Sequence, residues 1–183
     1  MLGHASKRFR IWGCVVKMAE REQIIDELRL DYEGLFDAND LYLTIDKWFR
    51  DKGYDKRELK NIEHVKPEGK FIELWIMPWK KITDYAKIEI KIRMQMFDIK
   101  EVEVEKDKHK VKLNQGRIQM VFDGYLTTDY ENKWEGKPTY VFLRTIFDKF
   151  VYKGYTARFQ SQVAEDVNHI HTTVKSFLNL YRF

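Results

Sequence analysis

One cysteine occurs in the 183 residues, Cys14, and it lies close to the amino terminus. Everything after it is free of thiols, which excludes disulfides, Cys-ligated zinc and thiol catalysis from the body of the chain. Long apolar runs are missing too: no stretch approaches the ~18 residues that a membrane-spanning helix needs. There is no Gly-rich phosphate loop, no Gly-x-Ser-x-Gly elbow and no His-Glu-x-x-His pair. The chain therefore carries no catalytic, cofactor or metal signature of high specificity. Internal repeats and low-complexity segments are also absent. An excess of one charge is lacking once the net +4 is located. Lys7, Arg8, Arg10 and Lys17 stand in the first 17 residues without an acid, which leaves 29 bases to face 29 acids. A neutral body of this kind disfavours nucleic acid as a partner.

Residues 1–19 are expected to form a basic, disordered leader. The apolar stretch Ile11-Trp12-Gly13-Cys14-Val15-Val16 is shorter than the 7–15-residue core of a signal peptide. Ile11-Trp12-Gly13-Cys14 faintly resembles a lipoprotein cleavage box, but no long apolar run precedes it, and Met18-Ala19-Glu20 makes a natural alternative start. The expected location is the cytoplasm.

What is abundant is apolar and aromatic material, 44% and 15% of the chain, beside 34% charged residues. That composition promises one ring-rich core under a solvated surface of mixed charge, in a single domain over 20–183. Lys87-Ile88-Glu89-Ile90-Lys91-Ile92-Arg93-Met94-Gln95-Met96 alternates strictly. A period of two describes a strand with one dry and one wet face. Strands are expected over about 27–33, 57–65, 70–78, 83–97, 100–106, 109–114 and 117–127. Gly34 ends the first, Asp98 bends the fourth into the fifth, and Asn114-Gln115-Gly116 turns the last pair. Between the first two strands, Asp37 or Asn39 caps a helix over about 39–52 with Leu41, Ile45, Trp48 and Phe49 as its apolar stripe, stopped by Gly53. Short connections permit only antiparallel neighbours. On the wet faces Lys87, Lys91 and Arg93 are expected beside Glu101, Glu103 and Glu105, and these beside Lys108, Lys110 and Lys112, as a structural charge ladder.

A polar loop over 128–137 leads to an aromatic helix at about 138–152, opened by Pro138. Gly154 then breaks the chain and Thr156 caps a last helix over about 157–181. Val163, Val167, Ile170, Val174, Phe177 and Tyr181 are spaced 4, 3, 4, 3, 4, and Phe159 and Leu178 extend this apolar seam. At 100° per residue Asp166 falls about 60° from the seam's centre. Gln162, Asp166, His169 and Thr173 thus form a polar strip along the edge of a buried face.

Three readings of the strip stand open. Asp166 can be tied to a Lys or Arg of the sheet, with His169 half exposed, because carboxylates at buried edges are usually paired. The strip can line a ligand cavity and orient the polar group of an apolar guest. Or Asp166 and His169 can do acid–base or metal chemistry. His171 points about 160° away from His169, so the two histidines are not a chelating pair. Turn chemistry accounts for Asp123-Gly124, and Trp75, Trp79 and Tyr85 form either an aromatic patch or part of the core.

A strand, a helix, six antiparallel strands and a long last helix resemble, in that order, the START-like or helix-grip superfamily over about 27–181. The resemblance implies an α+β domain in which a curved six-stranded antiparallel meander grips the C-terminal helix around a guest. The single helix after the first strand and the additional aromatic helix at 138–152 depart from that pattern. Its implied ligand contacts are Trp75, Ile90, Ile92, Met94, Met96, Met120 and Phe122 on the sheet, with Gln162, Asp166, His169, Ile170 and Thr173 on the helix. The expected function is a small binding protein for an apolar or amphipathic molecule, without cofactor. The alternatives are a non-enzymatic interaction protein docking a partner or a membrane surface through 138–152, and an enzyme using Asp166 and His169.

Overall fold

Strict alternation commits the middle of the chain to strands, and the computed structural model places it there. It describes residues 10–11, 14–15, 20–67, 69–106, 109–128 and 152–180. The elements run β1 (Arg10–Ile11), β2 (Cys14–Val15), β3 (Glu20–Phe36), α1 (Ala38–Asp51), β4 (Glu58–Lys66), β5 (Gly69–Ile76), β6 (Trp79–Lys81), β7 (Ala86–Lys106), β8 (His109–Thr128) and α2 (Tyr152–Asn179). Among the described residues β1 and β2 pair only with each other. The other six strands form one antiparallel sheet in the order β3-β8-β7-β5-β4, with β6 further along the β7 edge that β5 occupies. Pro78 interrupts that edge, since it has no N–H to give, but its carbonyl still accepts from Ile90 N at 3.0 Å.

The strands are fewer and longer than their turn residues suggest. The segments expected at 83–97 and 100–106 are one strand, as are those at 109–114 and 117–127. Asp98 adopts φ 56°, and the β7–β8 register slips between Phe97 and Lys100, so the residue makes a bulge that bends the strand rather than a turn that reverses it. Gly116 serves the same bend: a Cβ there would stand 2.7 Å from the Phe97 carbonyl oxygen. The expected charge ladder changes accordingly. Glu101, Glu103 and Glu105 continue the strand of Lys87, Lys91 and Arg93 and cannot lie beside them. They face β8 instead, Glu103 opposite Lys112 and Glu105 opposite Lys110. Gly34 does not end β3, which runs on to Phe36.

Asp37 caps α1, its carboxylate accepting from the backbone N–H groups of Asn39 and Asp40, and Gly53 follows the helix at φ 73°. Leu41, Ile45, Trp48 and Phe49 are its buried stripe. α2 starts earlier than expected, so Gly154 lies inside it and Thr156 is not its cap. Along α2 Phe159, Val163, Val167, Ile170, Val174 and Leu178 are buried, whereas Phe177 is only half-buried. This seam lies on the apolar face of the sheet. A Cβ on Gly124 of β8 would approach Val163 Cγ1 to 2.8 Å and Val167 Cγ2 to 2.9 Å. The helix therefore rests on bare strand backbone at that point. The expected loop 128–137 and helix 138–152 lie outside the described residues, apart from Thr128 at the end of β8 and Tyr152 at the start of α2. Among the described residues no helix is long and apolar enough to cross a membrane.

Candidate functional site

Ile90, Ile92, Met94, Met96, Met120 and Phe122 lie on the apolar face of the sheet and Ile170 on the seam of α2, and none is more than 3% exposed. They belong to one cluster with Val163, Val167 and Val174. Trp75 is separated from them by the pleat. On β5, Leu74 and Ile76 turn inward, so Trp75 stands on the opposite face, half-buried, with the Lys60 and Lys91 ammonium groups 5.0 and 5.2 Å from its ring centroid. Trp79 and Tyr85 are half-buried beside the Pro78 break.

The polar strip of α2 meets α1, not the sheet. Asp166 accepts the Tyr54 hydroxyl at 2.8 Å and lies 3.6 Å from Lys52 Nζ, both partners coming from the end of α1 and the turn after it. The Trp48 indole donates to His169 Nδ1 at 2.6 Å, with the two rings 5.7 Å apart. An indole N–H can only donate, so Nδ1 is the acceptor in this contact. Thr173 Oγ1 donates to the His169 carbonyl of its own helix, and Gln162 is half-buried beside the seam. Burial, followed by the neighbouring Asp166 carboxylate, drives the Tyr54 hydroxyl far above the ordinary phenol range, so it remains a donor. Asp166 and His169 thus engage different partners, and the strip fastens α2 to α1. His171 points the other way, its ring edge-on to Phe122 at 5.5 Å.

An open cleft lies on the far side of α1. One wall is the helical row Tyr42, Ile45 and Phe49; the other is Ile76 and Pro78 at the β5–β6 break, and Tyr54 closes the end. The volume is about 300 Å³. Its floor is apolar, with Ile45, Phe49, Tyr54 and Ile76 all buried. The rim is charged. Arg50 and Lys56 both pair with Asp46, and Lys56 also donates to the Tyr42 hydroxyl. The hydrogen bond from Arg50 is the main reason the Asp46 carboxyl is held below the usual range, with Lys56 adding to it; the Tyr42 contact raises the Lys56 ammonium. Asp55, exposed at the same rim, is held by its backbone, which exchanges two hydrogen bonds with Trp79. No family model, curated protein or solved structure matches this chain.

Sequence reasoning did not find this cleft. Tyr42, Asp46 and Arg50 stand at intervals of four beside the apolar stripe, which is the one signal that could have marked its rim. The wet face of the sheet was also underestimated. Glu73, Glu89 and Asp123 are 9%, 5% and 2% exposed although they point away from α2. Each is covered by bases: Glu73 by Lys60, Glu89 by Arg21 at 3.3 Å and Lys87 at 3.1 Å, and Asp123 by Arg93 at 3.1 Å. Among the described residues no group of three or more His, Cys, Asp or Glu side chains is arranged to hold a metal ion.

Proposed function

We propose that this is a small cytoplasmic binding protein for an amphipathic molecule, and that the guest sits in the cleft between α1 and the β5–β6 break. The observation that carries the reading is the pairing of an apolar floor with a charged rim around about 300 Å³, the lower end of the range for small-molecule sites. The tail would lie against Ile45, Phe49 and Ile76, and the head group would exchange contacts with Arg50, Lys56, Asp46 and Asp55. The space between sheet and α2 is the less favourable place. Its side chains are packed against one another, and α2 touches the strand backbone at Gly124. The order of elements, with its resemblance to the helix-grip superfamily, is compatible with ligand carriage. Asp166 and His169 act here as the fastening that holds α1 in position above the cleft.

Dodecanoate and dodecylamine, each titrated into isotopically labelled protein, test this reading by nuclear magnetic resonance. Saturable shifts centred on the amides of Tyr42, Asp46, Arg50 and Lys56 are expected with one of the two head groups. Shifts confined to other surfaces, or none up to the solubility limit of both probes, would refute it.

A further inference from the structure

The opposite face of the sheet carries a second recess, far from α1. It lies over Val121 of β8, a short side chain among tall ones, and has a volume of about 250 Å³. The antiparallel register explains its shape. Trp75, Arg93, Val121 and Arg29 follow one another across β5, β7, β8 and β3, and Glu73, Gln95, Gln119 and Asp31 form the next row. Between the two rows the recess is walled by an indole, two guanidinium groups, two carboxamides and one carboxylate.

Charge decides what this recess does not select. Arg29 is paired with Glu27 and also feels the Asp31 carboxylate, Arg93 is paired with Asp123 and Lys60 with Glu73, while Lys91 stands beside the indole. Both guanidinium groups at the wall are thus already paired and a carboxylate stands beside them, so no free charge of one sign dominates the recess. Donors and acceptors nevertheless both face the recess. Arg93 spends Nη2 on Asp123, while its buried Nε has no hydrogen-bond partner among the described residues. Gln95 donates to Glu73 at 3.2 Å and keeps its carbonyl free to accept, and Gln119 and Asp31 are exposed.

We propose that the recess over Val121 binds one pyranose ring of a neutral sugar. A hydroxyl group donates and accepts at once, so a ring bordered by hydroxyls satisfies a wall of mixed amides, guanidinium and carboxylate better than a group of one sign does. The C–H face of a pyranose suits a single aromatic wall, and Trp75 is the one indole at the recess among the described residues. A flat heterocycle is the competing guest, because it too can stack on an indole. The site is separate from the cleft under α1 and does not depend on it.

The test titrates the labelled full chain with methyl glucopyranoside, methyl galactopyranoside, methyl mannopyranoside and N-acetylglucosamine, with adenine and uracil in parallel. For at least one sugar, the Trp75 indole N–H and the Gln95 and Gln119 carboxamide signals should move together and saturate, with a dissociation constant of roughly 0.1–10 mM, as expected for a site of one ring. Gln119→Ala, at an exposed position, should weaken that binding about tenfold and leave the fold intact. Trp75→Ala should abolish it, and Arg50→Ala at the α1 cleft should leave it unchanged. The proposal is overturned if only the heterocycles move these signals, if no sugar moves them at about 100 mM, or if Gln119→Ala and Trp75→Ala both bind as the parent does.

Discussion

On β8 the side chains of Ile118, Met120, Phe122 and Leu126 alternate with Gln119, Val121, Asp123 and Thr127, so a single strand carries both environments of the sheet. The first set closes against α2 by shape. Phe122 is fully buried, and Gly124 gives up its side chain so that Val163 and Val167 can reach the backbone. The second set closes by charge. Asp123 and Thr127 are as deeply buried as core residues, yet each sits under a partner: Arg93 and the Glu27 backbone N–H for Asp123, Glu89 for Thr127. Burying a carboxylate is tolerated only because those partners replace its water. An interior closed by shape answers to changes of volume; one closed by charge answers to changes of pairing.

The widest separation between the faces is expected from adjacent alanine substitutions. Phe122→Ala removes a fully buried ring that also meets His171, and close-packed surroundings collapse only in part. A loss of about 3–5 kcal/mol should appear in urea denaturation, with an unchanged dependence on denaturant concentration. A loss below about 1 kcal/mol would mean that the interior under α2 is looser than its burial suggests, and would reopen that space for a guest.

Asp123→Ala, one residue along and on the other face, should cost less, about 1–3 kcal/mol, because it leaves the Glu27 N–H and the Arg93 guanidinium short of an acceptor without opening a large void. The same face should respond to acid. The Lys60 hydrogen bond is the first cause that lowers the Glu73 carboxyl below its ordinary range. A lowered folded value means that this contribution is present above the unfolded carboxyl range and is lost as pH falls through the folded one. Denaturation followed from pH 7 to pH 3 should therefore show a falling limb that Glu73→Gln flattens and Phe122→Ala does not. Equal slopes in the two variants would erase the distinction between the faces.

The shape-closed face was legible in advance and the charge-closed face was not. Period-two alternation from Lys87 to Met96 and the 4, 3, 4, 3 spacing on α2 depend on one element each, so the inward set could be read without knowing what covers it. Asp98 misled because a residue with positive φ serves a bulge as well as a reversal, and only the partner strand decides between them. With that turn removed, Glu101, Glu103 and Glu105 moved from a neighbouring strand to the far end of the same one. The strip Gln162, Asp166, His169 and Thr173 was correctly placed beside the seam, but its partners Trp48, Lys52 and Tyr54 lie 112–121 residues away at the hydrogen bonds. Tertiary pairing of that range leaves no trace in local pattern. The cleft under α1 was hidden for the same reason, since Ile76 and Pro78 reach it from another strand.

A fastening that belongs to both kinds of closure gives the finest probe. Tyr54 is buried like an inner-face residue, but its hydroxyl donates to a carboxylate like an outer-face pair. Its folded pKa is raised, by burial first and by Asp166 second. The sign follows from linkage: a group that holds its proton more tightly when folded contributes fully below the unfolded tyrosine value of about 10, and that contribution is lost as pH rises above it. Tyr54→Phe should thus cost about 1.5 kcal/mol at neutral pH, the lower end for a hydrogen bond to a charged group, because Lys52 still faces the Asp166 carboxylate. Above about pH 10 the cost should shrink, because only the unfolded parent chain gains by ionising this group. Ultraviolet titration of the phenols should accordingly show fewer residues ionising in the folded parent than in the denatured chain, and Tyr54→Phe should reduce that difference by one, Tyr125 being raised by burial as well. If Tyr54 ionises with the exposed tyrosines, the α1–α2 fastening opens to water, and the helix that walls the cleft is not held in place by Asp166.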